Sequence, residues 1–152
     1  MSDAHTPAFR RAVLALNGGT SDVRIVRLVA QYAKLSKAEV IAVHVVEIDW
    51  TLPLDADIAS RSEEVQRVLD TAESVAEEYK LVLEPVLLQA RDVGAAIVDE
   101  AMERGADLLV VGLPYRKRFG GDFVIGSTVP YVFKNAPCTV CVVREPMPEE
   151  GA

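Results

Sequence analysis

The sequence is poor in the residues that staple, metallate or catalyse. Its 152 residues include two cysteines and two histidines, His5 and His44. Two cysteines fit a reducing compartment, and histidines this scarce supply neither the ligands of a metal centre nor an assignable Ser–His–acid set. No Walker lysine follows a glycine loop, and no G-x-G-x-x-G occurs, so two common phosphate-handling motifs are excluded. Long apolar runs are also missing. The longest, Val40 to Val46, is interrupted by His44 and falls far short of the roughly 20 residues that span a bilayer. The opening MSDAHTPAFRR has no apolar core of signal-peptide length, which makes a cytoplasmic location the expectation. Basic charge is in the minority, with 16 Lys and Arg against 23 Asp and Glu for a net charge of −7. That balance argues against nucleic acid as a partner.

What remains is an ordinary globular composition, half hydrophobic and about a quarter charged, in a length that suits one domain. Arg11 to Leu16 is a short apolar run closed by Asn17-Gly18-Gly19, and a helical pattern follows through Ile25, Leu28, Val29, Tyr32 and Ala33. Val40 to Val46 is β-branched and nearly continuous, as a strand covered on both faces should be. Ser60 to Tyr79 carries Val65, Val68, Leu69, Ala72, Val75, Ala76 and Tyr79 on one face and acids on the other, an amphipathic helix. A third strand is expected over Val82 to Leu88, a helix capped by Asp92 over Asp92 to Arg104, and a fourth strand over Asp107 to Val111. A helix from Ser127 to Asn135 and a strand over Cys138 to Val143 complete the alternation. Strands alternating with helices predict a single-domain, open, parallel five-stranded α/β sheet with helices on both faces, Rossmann-like in layout. Residues 1–9 and 145–152 read as tails around a domain at 10–144.

Ligands of such sheets collect at the carboxyl ends of strands, where strand order reverses. One stretch there stands out. The strand ending near Val111 empties through Gly112 into a loop bearing Arg116-Lys117-Arg118 and Gly120-Gly121, and Gly126-Ser127 opens the next helix. Glycines let a backbone approach a ligand, and a helix start offers unpaired N–H groups and a positive dipole end. With Ser127 as N-cap, Pro130 falls in the first turn, where its missing N–H breaks no helical bond. Some 13 residues between the two glycines exceed a usual strand-to-helix connection, and such loops are commonly functional or disordered. The plain alternative is a tight strand exit, a helix cap and a solvated basic loop.

These segments, from VLALNGG through VIAVHVVE and ADLLVVG to GSTVPYVFKNAPCTVCVV, resemble the universal stress protein family over nearly the whole chain. The nucleotide-binding branch of that family carries GxxG, nine residues, then Gly with Ser or Thr. Gly112 matches the first glycine and Gly126-Ser127 the closing pair. Tyr115 replaces the second glycine, the interval to Gly126 is one residue longer, and Asn17 replaces the acid that commonly ends the first strand. The resemblance implies an adenine nucleotide alpha hydrolase-like fold and a non-catalytic module binding ATP or another adenine nucleotide, with Mg as an optional companion. On that analogy Leu16, Asn17 and Val45 flank the adenine, and Gly112 lies under ribose or phosphates. Gly126, Ser127 and Thr128 bond phosphate. Apart from the analogy, because Tyr115 replaces a glycine, the forked guanidinium of Arg116 or Arg118 is expected to contact the β or γ phosphate. The resemblance also implies a homodimer through residues 138–143 and allows a transporter or signalling partner.

Other readings stay open. A nucleotide-free interaction protein of the same fold needs none of these contacts. NGGTSD at 17–22 faintly resembles the SGGxDS loop of ATP-pyrophosphatases, without its first serine and with the last two residues reversed. Cys138 and Cys141 spell CxxC, but residues i and i+3 of a strand point to opposite faces, so the sulfurs should not converge. His44 reads as a satisfied core or strand-end histidine. Trp50, Leu52 and Leu54 read as a packing or subunit-pairing loop.

Overall fold

The computed structural model describes residues 8–56, 62–116 and 125–148. Nine elements alternate in chain order: β1 (Arg11–Leu16), α1 (Ser21–Ser36), β2 (Glu39–Glu47), α2 (Glu63–Glu78), β3 (Glu84–Ala90), α3 (Val93–Glu103), β4 (Leu108–Leu113), α4 (Thr128–Asn135) and β5 (Thr139–Arg144). The strands form one sheet in the order β3-β2-β1-β4-β5, and each neighbouring pair is parallel. The chain therefore starts in the middle, builds outward through β2 and β3, then crosses back to lay β4 on the other side of β1. That reversal opens a crevice between the carboxyl ends of β1 and β4.

Alternation along the strands splits the core in two. Leu14, Ala42 and Val110 face α1 and α2, where Ile25, Val26, Val29, Ala72 and Val75 cover them. Val13, Val43, Leu109 and Val111 face α3 and α4, where Ile97, Val98, Ala101 and Val132 close the second layer. Both faces are buried, which explains the near-continuous apolar runs of β1, β2 and β4. Truncating a fully buried side chain such as Leu14 to alanine costs about 2–5 kcal/mol. Helix starts follow the sequence signals: Ser62 accepts from Val65 N in α2, and Asp92 accepts from Ala95 N in α3. The beginning of the expected α2 segment, residues 60 and 61, lies outside the described residues.

Several sequence expectations need correction. Val82 is not in the third strand but 92% exposed, because pairing with β2 begins only at Ile41↔Glu84. Leu28 and Tyr32 share the helical pattern of α1 yet stand exposed. Phe9, assigned to the amino-terminal tail, is buried in the α1-side core. Glu145, assigned to the carboxy-terminal tail, continues the β4–β5 pairing through its N–H to Leu113 O. Its carboxylate accepts hydroxyl bonds from Thr20 and from Ser21 at 2.9 Å. Cys138 and Cys141 behave as expected, packing against opposite core layers. Among the described residues no helix is long and apolar enough to cross a membrane.

Candidate functional site

A cleft of about 400 Å³ opens where the strand order reverses. Its inner wall is apolar, from Ala15, Val45, Val111, Val93 and Ile97, and its outer wall runs from Gly112 through Pro114 to Arg116. Ile125, Gly126, Ser127 and Thr128 close the third side. Leu16, Asn17, Val45, Gly112, Arg116, Gly126, Ser127 and Thr128 therefore meet in one place, although they come from four separate segments. Arg118, Lys117 and Gly120-Gly121 lie outside the described residues.

The start of α4 leaves unpaired helical groups beside open space. Gly126 has φ +79°, and a side chain there would meet nothing within 4 Å. The glycine is thus required by the backbone turn, and the space beside it is open to the cleft. Ser127 occupies the N-cap position, but its hydroxyl makes no capping bond. The helix instead closes through Tyr131 N to Ser127 O at 3.2 Å. The N–H groups of Thr128 and Val129 lie in the unpaired first turn, Pro130 has none to offer, and the positive end of the helix dipole faces the same way.

Gly112 answers a different demand from the one its motif suggests. It lines the cleft with backbone, but a Cβ on it would lie 2.7 Å from Ser21 Cβ and 2.8 Å from Ile25 Cδ1. The missing side chain makes room for α1 behind the sheet. Tyr115, in the place of the motif's second glycine, lies beneath the Arg144 guanidinium, 5.2 Å from the ring centre.

Asn17 has half of its amide committed. Its Oδ1 accepts from Gly19 N at 2.7 Å, an Asx-type turn, so its Nδ2 is the group left to face a ligand. Asp22 fixes the same loop from behind, accepting from Asn17 N at 3.1 Å and Gly18 N at 2.8 Å. Burial pushes the Asp22 carboxyl above its ordinary range, opposed by those two N–H groups and by nearby His44. The Thr20 and Ser21 hydroxyls hold Glu145 below the ordinary range, with help from Arg24 and Arg116.

Two polar residues of this region escaped the sequence reading. Glu47, the last residue of β2, lines the cleft; its place directly after the apolar run Val40 to Val46 was the available signal, since strand ends carry ligand contacts. Asp22 lies in the first turn of α1, and only its partners reveal its part. Trp50 does not pack into the core. It is 80% exposed, with Arg91 stacked 4.8 Å from its ring centre.

The model of the universal stress protein family matches residues 8–144. A universal stress protein of Methanocaldococcus jannaschii is 28% identical over 147 residues, covering 93% of this chain and 85% of its own. Among solved structures, a universal stress protein from Archaeoglobus fulgidus superposes with a TM-score of 0.72 at 25% identity, covering 88% of this chain and 98% of that one. A universal stress protein from the same organism, solved in complex with dAMP, gives a TM-score of 0.67 at 26% identity, covering 88% and 97%.

Proposed function

The chain belongs to the universal stress protein family, and from that premise we propose that it is a non-catalytic adenine-nucleotide-binding module of stress response or signalling, with ATP its first ligand. The observation that carries this reading is the convergence of Leu16, Asn17, Val45, Gly112, Arg116, Gly126, Ser127 and Thr128 on one cleft. The dAMP complex of an Archaeoglobus fulgidus relative supports the same ligand class.

The chemistry distributes itself along the cleft. Val45, Val111 and Ala15 offer an apolar slot for a flat base, with Asn17 Nδ2 as a donor to one of its ring nitrogens. Glu47 is suited to accept from ribose hydroxyls, as an acid following the second strand does in related dinucleotide sites. The first turn of α4 and the Ser127 hydroxyl hold the phosphate nearest the sugar. Arg116, at the outer wall, pairs with the further phosphates through charge-assisted bonds. The reading of binding without turnover rests on the lack of a Walker lysine in the sequence and, among the described residues, on His44 lining the other cleft. In this reading β5, an edge strand, pairs with β5 of a second copy and so covers its free N–H and C=O groups.

Calorimetry with ATP, AMP, dAMP and GTP tests the proposal. Saturable heat with the adenine nucleotides and none with GTP is expected. No heat with any of them at millimolar ligand refutes binding, and turnover above about 1 per second refutes the non-catalytic role.

A further inference from the structure

Behind the sheet from the nucleotide cleft lies a second one, of about 460 Å³, between the start of α1, the end of β2 and the first turns of α2. We propose that this second cleft binds a small organic ammonium compound through the Asp22 carboxylate and the Nε2 of His44. The site stands on its own geometry and does not depend on the nucleotide reading.

Both anchoring groups are more than nine-tenths buried, each with 8% of its surface exposed, and both line the cleft. The Nδ1 of His44 lies 2.9 Å from Leu16 O. A carbonyl can only accept, so Nδ1 carries a proton, and in the neutral ring Nε2 presents a lone pair. Among the described residues Nε2 has no hydrogen-bond partner, and no buried nitrogen or oxygen is sealed off without one. The lone pair therefore has an outlet, and it is the cleft. The floor thus offers two acceptors, an imidazole nitrogen and a carboxylate, and it calls for a ligand rich in N–H donors.

Charge selects a cation over an anion. With the His44 ring neutral, two carboxylates, Asp22 and Glu64, stand against one guanidinium, Arg67, in the lining, and the cleft is negative. The start of α1 also borders it, but Asp22 already occupies the positive end of that helix and the N–H groups of Asn17 and Gly18. An anion entering would meet a carboxylate instead of free amides. Burial disfavours the charged form of Asp22, and a bound ammonium relieves that cost by pairing with it. Val23, Val65 and Val68 supply an apolar side wall against which the ligand's carbon chain can rest. Those walls favour an alkyl amine over a bare metal cation, and no cluster of metal-ligating residues occurs among the described residues.

The test is an amide and imidazole NMR titration of the full chain with butylammonium chloride, with sodium butanoate as the shape-matched anion. Saturable shifts at the Gly18 and Gly19 amides and the His44 ring are expected with the amine alone. Asp22→Asn should abolish them, but that change could also loosen the loop. Thr71→Trp is the second variant: an exposed position on α2 at the cleft, where the indole plugs the space without touching the core. It should weaken the amine about tenfold or more with the rest of the spectrum unchanged. No saturable shift, equal shifts with butanoate, shifts centred on Gly126 to Val129, or full amine response in Thr71→Trp would each overturn the site.

Discussion

His44 and Val45 are consecutive residues of β2, yet each lines a different cleft, on opposite faces of the same sheet. The two-residue period of a strand imposes this division. It places an apolar slot and a buried imidazole back to back at the end of β2. Leu16 joins them, since its carbonyl bonds His44 while its residue lines the cleft between β1 and β4.

Gly112→Ala should act on stability first. The added Cβ would stand 2.7 Å from Ser21 Cβ and 2.8 Å from Ile25 Cδ1, so α1 must shift or the strand must bend. Overpacking of this kind costs about 1–3 kcal/mol. Urea unfolding should show that loss with or without nucleotide. An unchanged midpoint combined with weakened nucleotide would return Gly112 to a purely ligand-facing role.

Gly126→Val should do the reverse in proportion. A left-handed backbone costs an L-residue roughly 1–2 kcal/mol, and here the new side chain also enters the open space beside the first turn of α4. ATP and AMP should both weaken, because the proposed function rests the phosphate nearest the sugar there in each. Gly126→Asn tolerates the backbone better and separates the two effects. Retained affinity in the valine variant would exclude this turn from the site.

The sequence made the layers of this fold legible because its strands are β-branched and its helices capped by Ser62 and Asp92, signals local to each element. The glycine and serine residues opening α4 were legible for the same reason. Glu145 was not. Its partners Thr20 and Ser21 lie 125 and 124 positions away, and no local pattern reports a contact made by the return of β5 beside β4. Phe9 was missed because one aromatic before a strand has no period. Gly112 was visible as a glycine, but only the position of α1 tells which neighbour demanded it.

Acid titration should separate two carboxylates of opposite sign. Asp22 has its folded pKa raised above 3.8, so above that value the native state binds more protons than the unfolded one. Its stabilising share is full at lower pH and is lost as pH rises through the folded pKa. Glu145 is lowered from 4.5, so its share is present above 4.5 and is lost as pH falls through its folded value. Relative to wild type, Asp22→Asn should therefore gain stability as pH climbs from about 3.8, and Glu145→Gln should lose less on acidification. Urea midpoints across the acid range measure both, and parallel curves for all three proteins would contradict the assignments.

The edge position of β5 predicts association. Sedimentation of the intact chain should give a dimer whose midpoint falls as protein is diluted, and a monomer at high micromolar concentration would reject pairing through residues 138–143.

In the proposed function Arg116 sets how many phosphates the cleft between β1 and β4 senses. It is exposed at the outer wall, near enough to Glu145 to help lower that carboxyl, so without ligand its charge is already partly balanced. A phosphate can displace this weak, solvated pairing, because forked bonds from guanidinium to phosphate oxygens outweigh it. Arg116→Ala should then weaken ATP by about 1.5–3 kcal/mol, the scale of a hydrogen bond to a charged group. AMP should lose much less, since the proposed function rests its single phosphate on Ser127 and Thr128. Adding Arg118→Ala tests whether the second arginine shares the load, in which case the ATP loss deepens and the AMP loss does not. Calorimetry of both nucleotides against both variants gives the answer: equal losses of ATP and AMP, or no loss of either, would leave Arg116 a solvated loop residue and assign the phosphate chain to the start of α4 alone.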